Sequence, residues 1–152
     1  MDIRVAAYGV IIRDGCILLA HWNEHGRSGW TLPGGGLEGG ENPAQTAVRE
    51  IFEETGYHAG LDVLLGIDNH VIAARSRLAG ATHPLNAIRV LYRAHVISGE
   101  ITHELDGSSD EARWVPLDEL DELKTVELVR IALALNERQP ANGIPMSSDE
   151  RR

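Results

Sequence analysis

The chain has 152 residues, a length that predicts one domain with a substantial buried core. Its net charge of −9 argues against a surface that coats nucleic acid and implies that a polyanionic substrate would need a cation as intermediary. No apolar run approaches about 18 residues and no signal-peptide pattern is present, so we expect a cytoplasmic protein without membrane contact. Cys16 is the only cysteine, which excludes an internal disulfide, and we expect it in the core.

The first part of the chain predicts β structure that leads into a glycine-rich turn. Residues 3–12 and 16–20 are apolar and β-rich, and the turn signal between them predicts a hairpin. Residues 22–28 are polar and predict a loop, whereas residues 29–32 predict a short strand. The run Pro33-Gly34-Gly35-Gly36 then allows the backbone to come close to a ligand, as phosphate and metal sites require.

The next segment predicts a helix over residues 43–55. Asn42 fits the N-cap position, Pro43 the first helical position, and Gln45 completes a capping box. Gly56 is expected to end the helix. At 100° per residue, one face is apolar and is predicted to face the core; it carries Ala44, Ala47, Val48, Ile51 and Thr55.

Three carboxylates on this helix stand close enough to repel one another. Glu50, Glu53 and Glu54 lie at i, i+3 and i+4, which predicts one acidic patch on roughly the opposite side from the core. The negative end of the helix dipole adds to the electrostatic cost. A counter-charge such as Mg²⁺ or Mn²⁺, which prefers oxygen ligands, would offset it. For this spacing alone, a solvated acidic face is the alternative.

After the helix the pattern returns to strands. Residues 61–65 and 70–73 predict two strands, separated by a break at residues 66–69. Residues 75–84 predict an exposed loop, and residues 86–97 alternate well enough to predict a long strand.

The last part of the chain predicts one more strand, two helices and a tail. Residues 112–115 form a short strand that Pro116 should end, residues 116–123 a short helix and residues 126–136 a long one. Residues 139–152 are predicted to be a disordered tail that follows a domain of residues 1–138. Strands with a helix between them and a helix at the end predict an α+β fold.

The fixed positions between Gly35 and Tyr57 resemble the signature box of the Nudix hydrolases. They are Gly35, five residues, Glu41, seven residues, and then Arg49-Glu50-Ile51-x-Glu53-Glu54-x-Gly56-Tyr57. The segment Trp30-Thr31-Leu32-Pro33 before the box also resembles the family, as does Arg113-Trp114-Val115-Pro116 after it. The resemblance implies a mixed β-sheet sandwiched between helices. It also implies hydrolysis of a nucleotide or of a nucleoside diphosphate linked to another moiety, with a divalent metal ion.

The resemblance also implies roles for individual residues. Glu50, Glu53 and Glu54 would be metal ligands, with the carbonyl of Gly34 as a further one, and Glu50 is favoured as the general base. Glu41 and Arg49 would support these ligands.

A further carboxylate is expected from the segment before Trp114. Asp110 and Glu111 are both candidates. The family's usual spacing selects Glu111, although strict strand alternation would point it to the face opposite Trp114.

The sequence leaves the identity of the substrate open. Residues 72–75 contain neither the proline nor the tyrosine that relatives use for ADP-ribose or diadenosine polyphosphates. Trp22 could stack on a base, whereas Trp30 and Trp114 are expected to pack inside. Several basic side chains are candidates for a diphosphate clamp, each with a solvated surface role as the alternative: His25, Arg27, Arg75, Arg77, Arg89 and Arg93.

The sequence argues against two other functions. A catalytically silent, nucleotide-sensing relative usually loses carboxylates from the helix or gains a DNA-binding module, and neither applies to this sequence. An isopentenyl diphosphate isomerase needs a cysteine in the site, whereas Cys16 lies in the opening hairpin. The sequence leaves the oligomeric state open, and a homodimer is an option because many Nudix relatives are dimers.

Overall fold

A computed structural model describes residues 1–24, 26–77, 80–104, 107 and 109–147. Short 3₁₀ turns at Ala74–Ser76 and Leu117–Glu122 accompany the strands and helices of these residues. In chain order the elements are β1 (Asp2–Arg13), β2 (Cys16–Glu24), β3 (Arg27–Thr31), β4 (Gly34–Gly36), α1 (Pro43–Thr55), β5 (Tyr57–Ile72), β6 (Leu85–Gly99), β7 (Ser109–Pro116) and α2 (Glu127–Arg138).

The strands form one mixed sheet with a helix on each face. Its main order is β3-β2-β1-β6-β5, while β4 pairs with β1 and β7 pairs with β2. The pairing of β1 with β6 is parallel, and the other pairs are antiparallel. Ile51 of α1 packs with Ile11 and Ala94 on one face, whereas Leu135 of α2 packs with Leu91 on the other. The predicted α+β sandwich is therefore confirmed.

Helix α1 begins and ends where its capping residues predict. The side chain of Asn42 accepts a hydrogen bond from the backbone of Gln45, and the side chain of Gln45 accepts one from the backbone of Asn42, which completes the capping box. Gly56 closes the helix in the left-handed conformation, with φ of 83°.

The predicted orientation of the acidic patch on α1 is wrong for Glu54. This side chain is 7% exposed and lies inside the fold, not opposite the core. On a helical projection Glu54 falls within about 20° of Ala47, a core residue, so the acidic patch borders the buried face. Glu54 therefore faces the glycine strand β4, whereas Glu53 remains exposed to solvent.

Of two predicted interruptions, one is shorter than expected and the other is absent from the described part of the sheet. Residues 22–28 were expected to form a loop, but β2 runs to Glu24 and β3 begins at Arg27, with Glu24 paired to Arg27. The prediction of a break at residues 66–69 is wrong, because β5 is continuous and Ile67 pairs with Val90. In both places pairing with a neighbouring strand overrides local polarity. Register shifts in β5 absorb its glycine-containing stretches.

Three boundaries near the carboxyl end also differ from expectation. β7 begins at Ser109 and includes Pro116, which as the last strand residue can lack an amide donor. The short helix after it is a 3₁₀ turn. α2 extends to Arg138, beyond the predicted end at residue 136.

Among the expected core residues, Trp30 is buried, whereas Cys16 and Trp114 are only half-buried. None of the helices in the described residues has both the length and the apolar character needed to cross a bilayer.

Candidate active site

The glycine-rich strand β4 brings the backbone directly against the carboxylates of α1. Gly35 pairs with Ala7 of β1. A Cβ on Gly35 would lie 2.6 Å from the carboxyl carbon of Glu50, so only glycine leaves room for that carboxylate. The amide of Gly34 donates a hydrogen bond of 3.2 Å to Oε2 of Glu54. The glycine strand therefore lies directly against two of the three helix carboxylates.

Arg49 links the carboxylates of this region into a single network. Its Nε and Nη2 bind the two carboxylate oxygens of Glu41 at 2.7 and 2.9 Å. Its Nη1 lies 2.9 Å from Glu50 and 3.2 Å from Glu53. Nη2 also donates to the carbonyl of Gly36 at 3.1 Å. The guanidinium is held by a planar, two-point contact, which Lys could not reproduce.

Glu41 is the carboxylate of this network that Arg49 binds through two hydrogen bonds. The hydrogen bonds from Arg49 hold the pKa of Glu41 at about 2, and the amide of Glu38 adds to the effect. The same bonds raise the pKa of Arg49 above its usual value. The pair stays ionised across the physiological range and is suited to orienting Arg49 rather than to exchanging protons.

Glu54 and Glu50 have the opposite electrostatic character. Burial raises the pKa of Glu54 well above its usual value; the Gly34 hydrogen bond opposes the shift, and the charges of Glu50 and Glu104 reinforce it. Burial also raises the pKa of Glu50, against the opposing contact from Arg49. Buried carboxylates that repel one another are a pattern found at functional sites and call for an added positive charge.

Glu104 is a member of this cluster that the sequence did not identify. Burial and the charges of Glu50 and Glu53 raise its pKa, which places it within their electrostatic reach. The amide of Thr102 donates to the carbonyl of Thr55 at 2.8 Å, and this bond ties the segment to the end of α1. No local pattern separates Glu104 from the other acids of that polar stretch, because the bond depends on the folded chain.

The structure does not bring Glu111, the predicted loop ligand, to the cluster. Its carboxylate binds Arg113 at 2.8 Å, and the guanidinium of Arg113 lies over the ring of Trp30, 4.6 Å from its centroid. Trp114 packs on the other face of the sheet, beside Ile51 of α1. Strand alternation places Glu111 on the face away from α1. Its role as a metal ligand stays a prediction that this position does not favour.

Asp110, the other candidate, is also engaged elsewhere. Its Oδ1 lies 2.7 Å from Nδ1 of His21, and its Oδ2 accepts from Asn23 at 3.2 Å. The contact with His21 lowers the pKa of Asp110.

The candidate substrate residues are dispersed. Trp22 donates from its ring nitrogen to Glu24 at 3.1 Å. Arg27 donates to the carbonyl of Ser76 at 3.1 Å, and Arg75 is exposed within the adjoining 3₁₀ turn.

Three further basic side chains of the predicted diphosphate clamp also lie apart from one another. Arg77 binds Asp2 at 2.7 Å, and Arg93 is half-buried on β6. Arg89 forms a largely buried ion pair with Asp68 and keeps a buried Nε without a hydrogen-bond partner among the described residues. His25 lies outside the described residues.

The donor set near β4 fits a divalent cation, although no complete site is preformed in the described residues. Within these ranges, no three carboxylate, histidine or cysteine side chains already surround a point where a metal ion could sit. The available donors are all oxygens, one of them on the buried Glu54, and Mg²⁺ and Mn²⁺ prefer such donors. Arg49 supplies a counter-charge to Glu50 and Glu53.

Comparison with known proteins supports the family suggested by the site. A family model described as the NUDIX domain matches residues 2–134. A solved NUDIX hydrolase from Nitrosomonas europaea superimposes with a TM-score of 0.76 at 25% identity, over 95% of this chain and 94% of that one.

Two curated relatives are similar over shorter segments. A protein named MutT4 from Mycobacterium tuberculosis is 35% identical over 68% of this chain and 39% of its own length. A CMP-5'-(N-acetyl-N-hydroxy-3-aminopropyl)phosphonate hydrolase from Streptomyces rubellomurinus is 37% identical over 62% of this chain and 41% of its own length. The matches thus span well under half of these relatives. With the family match over most of its length, the chain belongs to the NUDIX domain family.

Proposed function

We propose that this chain hydrolyses a diphosphate bond in a nucleotide or nucleotide derivative, with Mg²⁺ or Mn²⁺ as cofactor. The observation that supports this best is the buried Glu54, whose carboxylate faces the glycine strand and shares its surroundings with Glu50 and Glu104. Such a cluster is electrostatically costly in the metal-free protein. A divalent cation would convert this repulsion into attraction.

In this proposal, Glu50, Glu53 and Glu54 hold the cation together with the carbonyl of Gly34. When bound, such a cation lowers the pKa of water and neutralises diphosphate oxygens. Glu104 replaces Glu111 as the carboxylate contributed by the segment before β7. The substrate is a small nucleotide, and no nucleic-acid surface is required.

The proton of the attacking water needs an acceptor, and we assign this role to Glu50. Burial raises the pKa of Glu50, which brings it closer to neutrality than an exposed carboxylate. Arg49 positions Glu50 and Glu53 through Nη1, while Glu41 fixes Arg49 in turn. Arg49 and Glu41 are therefore positioning residues, and Gly35 leaves space for the acceptor carboxylate.

Replacement of Glu53 by Gln tests the proposal. Gln keeps the side-chain shape and removes one charge, so kcat should fall by at least about 100-fold, equivalent to about 2.7 kcal/mol. Release of phosphate or diphosphate would be measured with Mg²⁺ and with Mn²⁺ across nucleoside triphosphates, nucleotide sugars and CMP-linked compounds. Glu119→Gln makes the same charge change at an exposed position and serves as the control.

Near-parental turnover in the Glu53 variant would contradict the assignment of this helix as the metal site. A parent protein that binds nucleotides but releases nothing from the whole panel would instead favour the silent, nucleotide-sensing alternative.

A further inference from the structure

Strand β5 leaves a long edge of the described sheet without a neighbouring strand. It runs from Tyr57 to Ile72, ends the main strand order, and pairs with β6 on one side only. Leu64, Ile67 and Val71 are 55, 52 and 50% exposed along it. A long apolar edge of this kind is a template for pairing with another chain, and natural proteins usually protect it.

These three side chains lie on one face of the sheet. Their partners on β6 are Tyr92, Val90 and Asn86, which occupy alternate positions and therefore share a face. Helix α1 packs on this face but its 13 residues span only about 20 Å, whereas the 16 residues of β5 span about 50 Å. The far part of β5 is left uncovered by the helix.

The segment after α2 returns to this edge. Gln139 adopts a left-handed conformation with φ of 45° and ends the helix by donating its amide to the carbonyl of Leu135. A turn closed by the bond from the Gly143 amide to the Pro140 carbonyl follows. The carbonyl of Gly143 then accepts a hydrogen bond of 3.1 Å from the amide of Ile67. The segment thus satisfies a backbone group on the free edge.

Two glycines make this contact close. A Cβ on Gly143 would lie 3.1 Å from Cα of Gly66, and a Cβ on Gly66 would lie 2.5 Å from the carbonyl oxygen of Gly143. The φ of Gly143 is 68°, a conformation that side chains disfavour. The contact is backbone against backbone, with no space for a side chain at either position.

The bonded amide marks the direction in which the free edge points. In an antiparallel pair, alternate residues direct their backbone groups away from the partner strand. The backbone groups of Ile67 point away from β6, and those of Asn69 and Val71 therefore point in the same direction. Gly143 therefore contacts β5 at the first of these three residues, whose backbone groups form the free edge.

We propose that residues 139–147 cover the free edge of β5 and prevent two copies of this chain from pairing through it. Two β5 edges are self-complementary in antiparallel orientation, because a two-fold axis between them matches each outward amide with an outward carbonyl. Such a pair would also bring Leu64, Ile67 and Val71 of both copies onto one continuous surface. The segment at Gly143 occupies the position that the second strand would take.

Truncation after Arg138 tests the proposal, with truncation after Ser147 as its control. Light scattering coupled to gel filtration, over about a 100-fold range of concentration, should show one additional association step for the shorter chain only. Amide exchange at Ile67 should become at least about 10-fold faster in its unassociated form. An unchanged association state, or unchanged exchange at Ile67, would overturn the proposal.

A substitution pair separates the contact from loss of the whole segment. Gly143→Val and Gly80→Val both replace glycines of positive φ, but a Cβ at Gly80 would meet nothing within 4 Å. Only Gly143→Val should reproduce the association of the truncated chain. Association of both variants, or of neither, would contradict the role given to the contact at Gly143.

Adding Ile67→Lys to the truncated chain should reverse the association, because a charge on the edge opposes pairing. Association that persists in the truncated chain with this substitution would mean that the copies meet elsewhere and would overturn the proposal. None of these measurements uses catalysis, so their outcome is independent of the proposed hydrolase activity.

Discussion

At Gly35 the absence of a single carbon atom determines where a carboxylate can lie. The Glu50 side chain occupies the space that a Cβ would need, and Arg49 holds it there from the other side. The grouping of Glu50, Glu53 and Glu54 could be predicted from their spacing on one helix, and the family resemblance pointed to Glu41 and Arg49. Glu104 could not, because it joins the cluster through a backbone bond between distant segments.

Gly35→Ala should lower kcat by about 10- to 100-fold, the range typical of groups that support a metal site. The added methyl group would displace the Glu50 carboxylate, while the backbone conformation requires no change. Gly39→Ala is the matched control, since a Cβ at Gly39 would meet nothing within 4 Å. Steady-state rates with Mg²⁺ and thermal melts of both variants would check this. Equal rates for the two variants would show that Glu50 does not depend on the space at Gly35.

Glu104→Gln should reduce metal-dependent kcat by about 10- to 100-fold, whereas Glu111→Gln should stay within about twofold of the parent. The first removes a charge beside Glu50 and Glu53, and the second removes only a contact with Arg113. Titration of Mg²⁺ at saturating substrate would compare the two variants. The reverse ranking would restore Glu111 to the site.

At the scale of elements, the predicted boundaries and core face of α1 are confirmed, whereas the predicted orientation of Glu54 is wrong. Its caps are local interactions, so Asn42, Gln45 and Gly56 define the helix without the rest of the chain. The burial of Glu54 depends on β4, which the periodicity of α1 does not describe. Strand pairing likewise decided residues 22–28 and 66–69, where local polarity indicated loops.

The buried Glu54 should make the stability of the metal-free protein depend on pH. Its pKa is raised above the usual 4.5, so the folded state binds this proton more tightly than the unfolded state. The free energy of unfolding should therefore fall as pH rises from about 4.5 through the raised pKa. Glu54→Gln cannot titrate and should be the more stable protein at pH 8, with little difference at pH 4.

Chemical denaturation in EDTA at both pH values measures this difference. Mg²⁺ at pH 8 should stabilise the parent more than the variant, because the cation binds the ionised carboxylate. A variant that is less stable than the parent at pH 8 without metal would show that the charged form of Glu54 supports the fold.

At the scale of the whole molecule, the mixed sheet and its two helices follow from the alternation of strand and helix signals. The division into a domain of residues 1–138 and a tail stays a prediction. Residues 139–147 lack regular structure but contact β5 at Gly143, while residues 148–152 lie outside the described part of the chain. Composition indicated disorder because the backbone contact of Gly143 with Gly66 and Ile67 leaves no apolar pattern in the sequence.

Truncation after Arg138 should leave kcat/KM per site within about twofold of the parent. The segment meets β5 at Gly66 and Ile67, whereas the carboxylates proposed to be catalytic lie on α1, beside β4. Rates would be measured at several enzyme concentrations, so that any association is separated from a change in chemistry. A concentration-independent loss of activity would show that the segment reaches the site.

The parallel pairing of β1 with β6 has a consequence for synthesis on the ribosome. Asp2 lies beside Leu85, and the pairing continues to Ile11 and Ala94. The opening hairpin can form as soon as it leaves the exit tunnel. The edge of β1 that pairs with β6, however, stays without its partner until more than half of the chain has been translated. A nascent chain of this protein therefore exposes the apolar side chains of β1 for seconds, at elongation rates of about 5–20 residues per second. We expect a chaperone that binds nascent chains to engage this segment first.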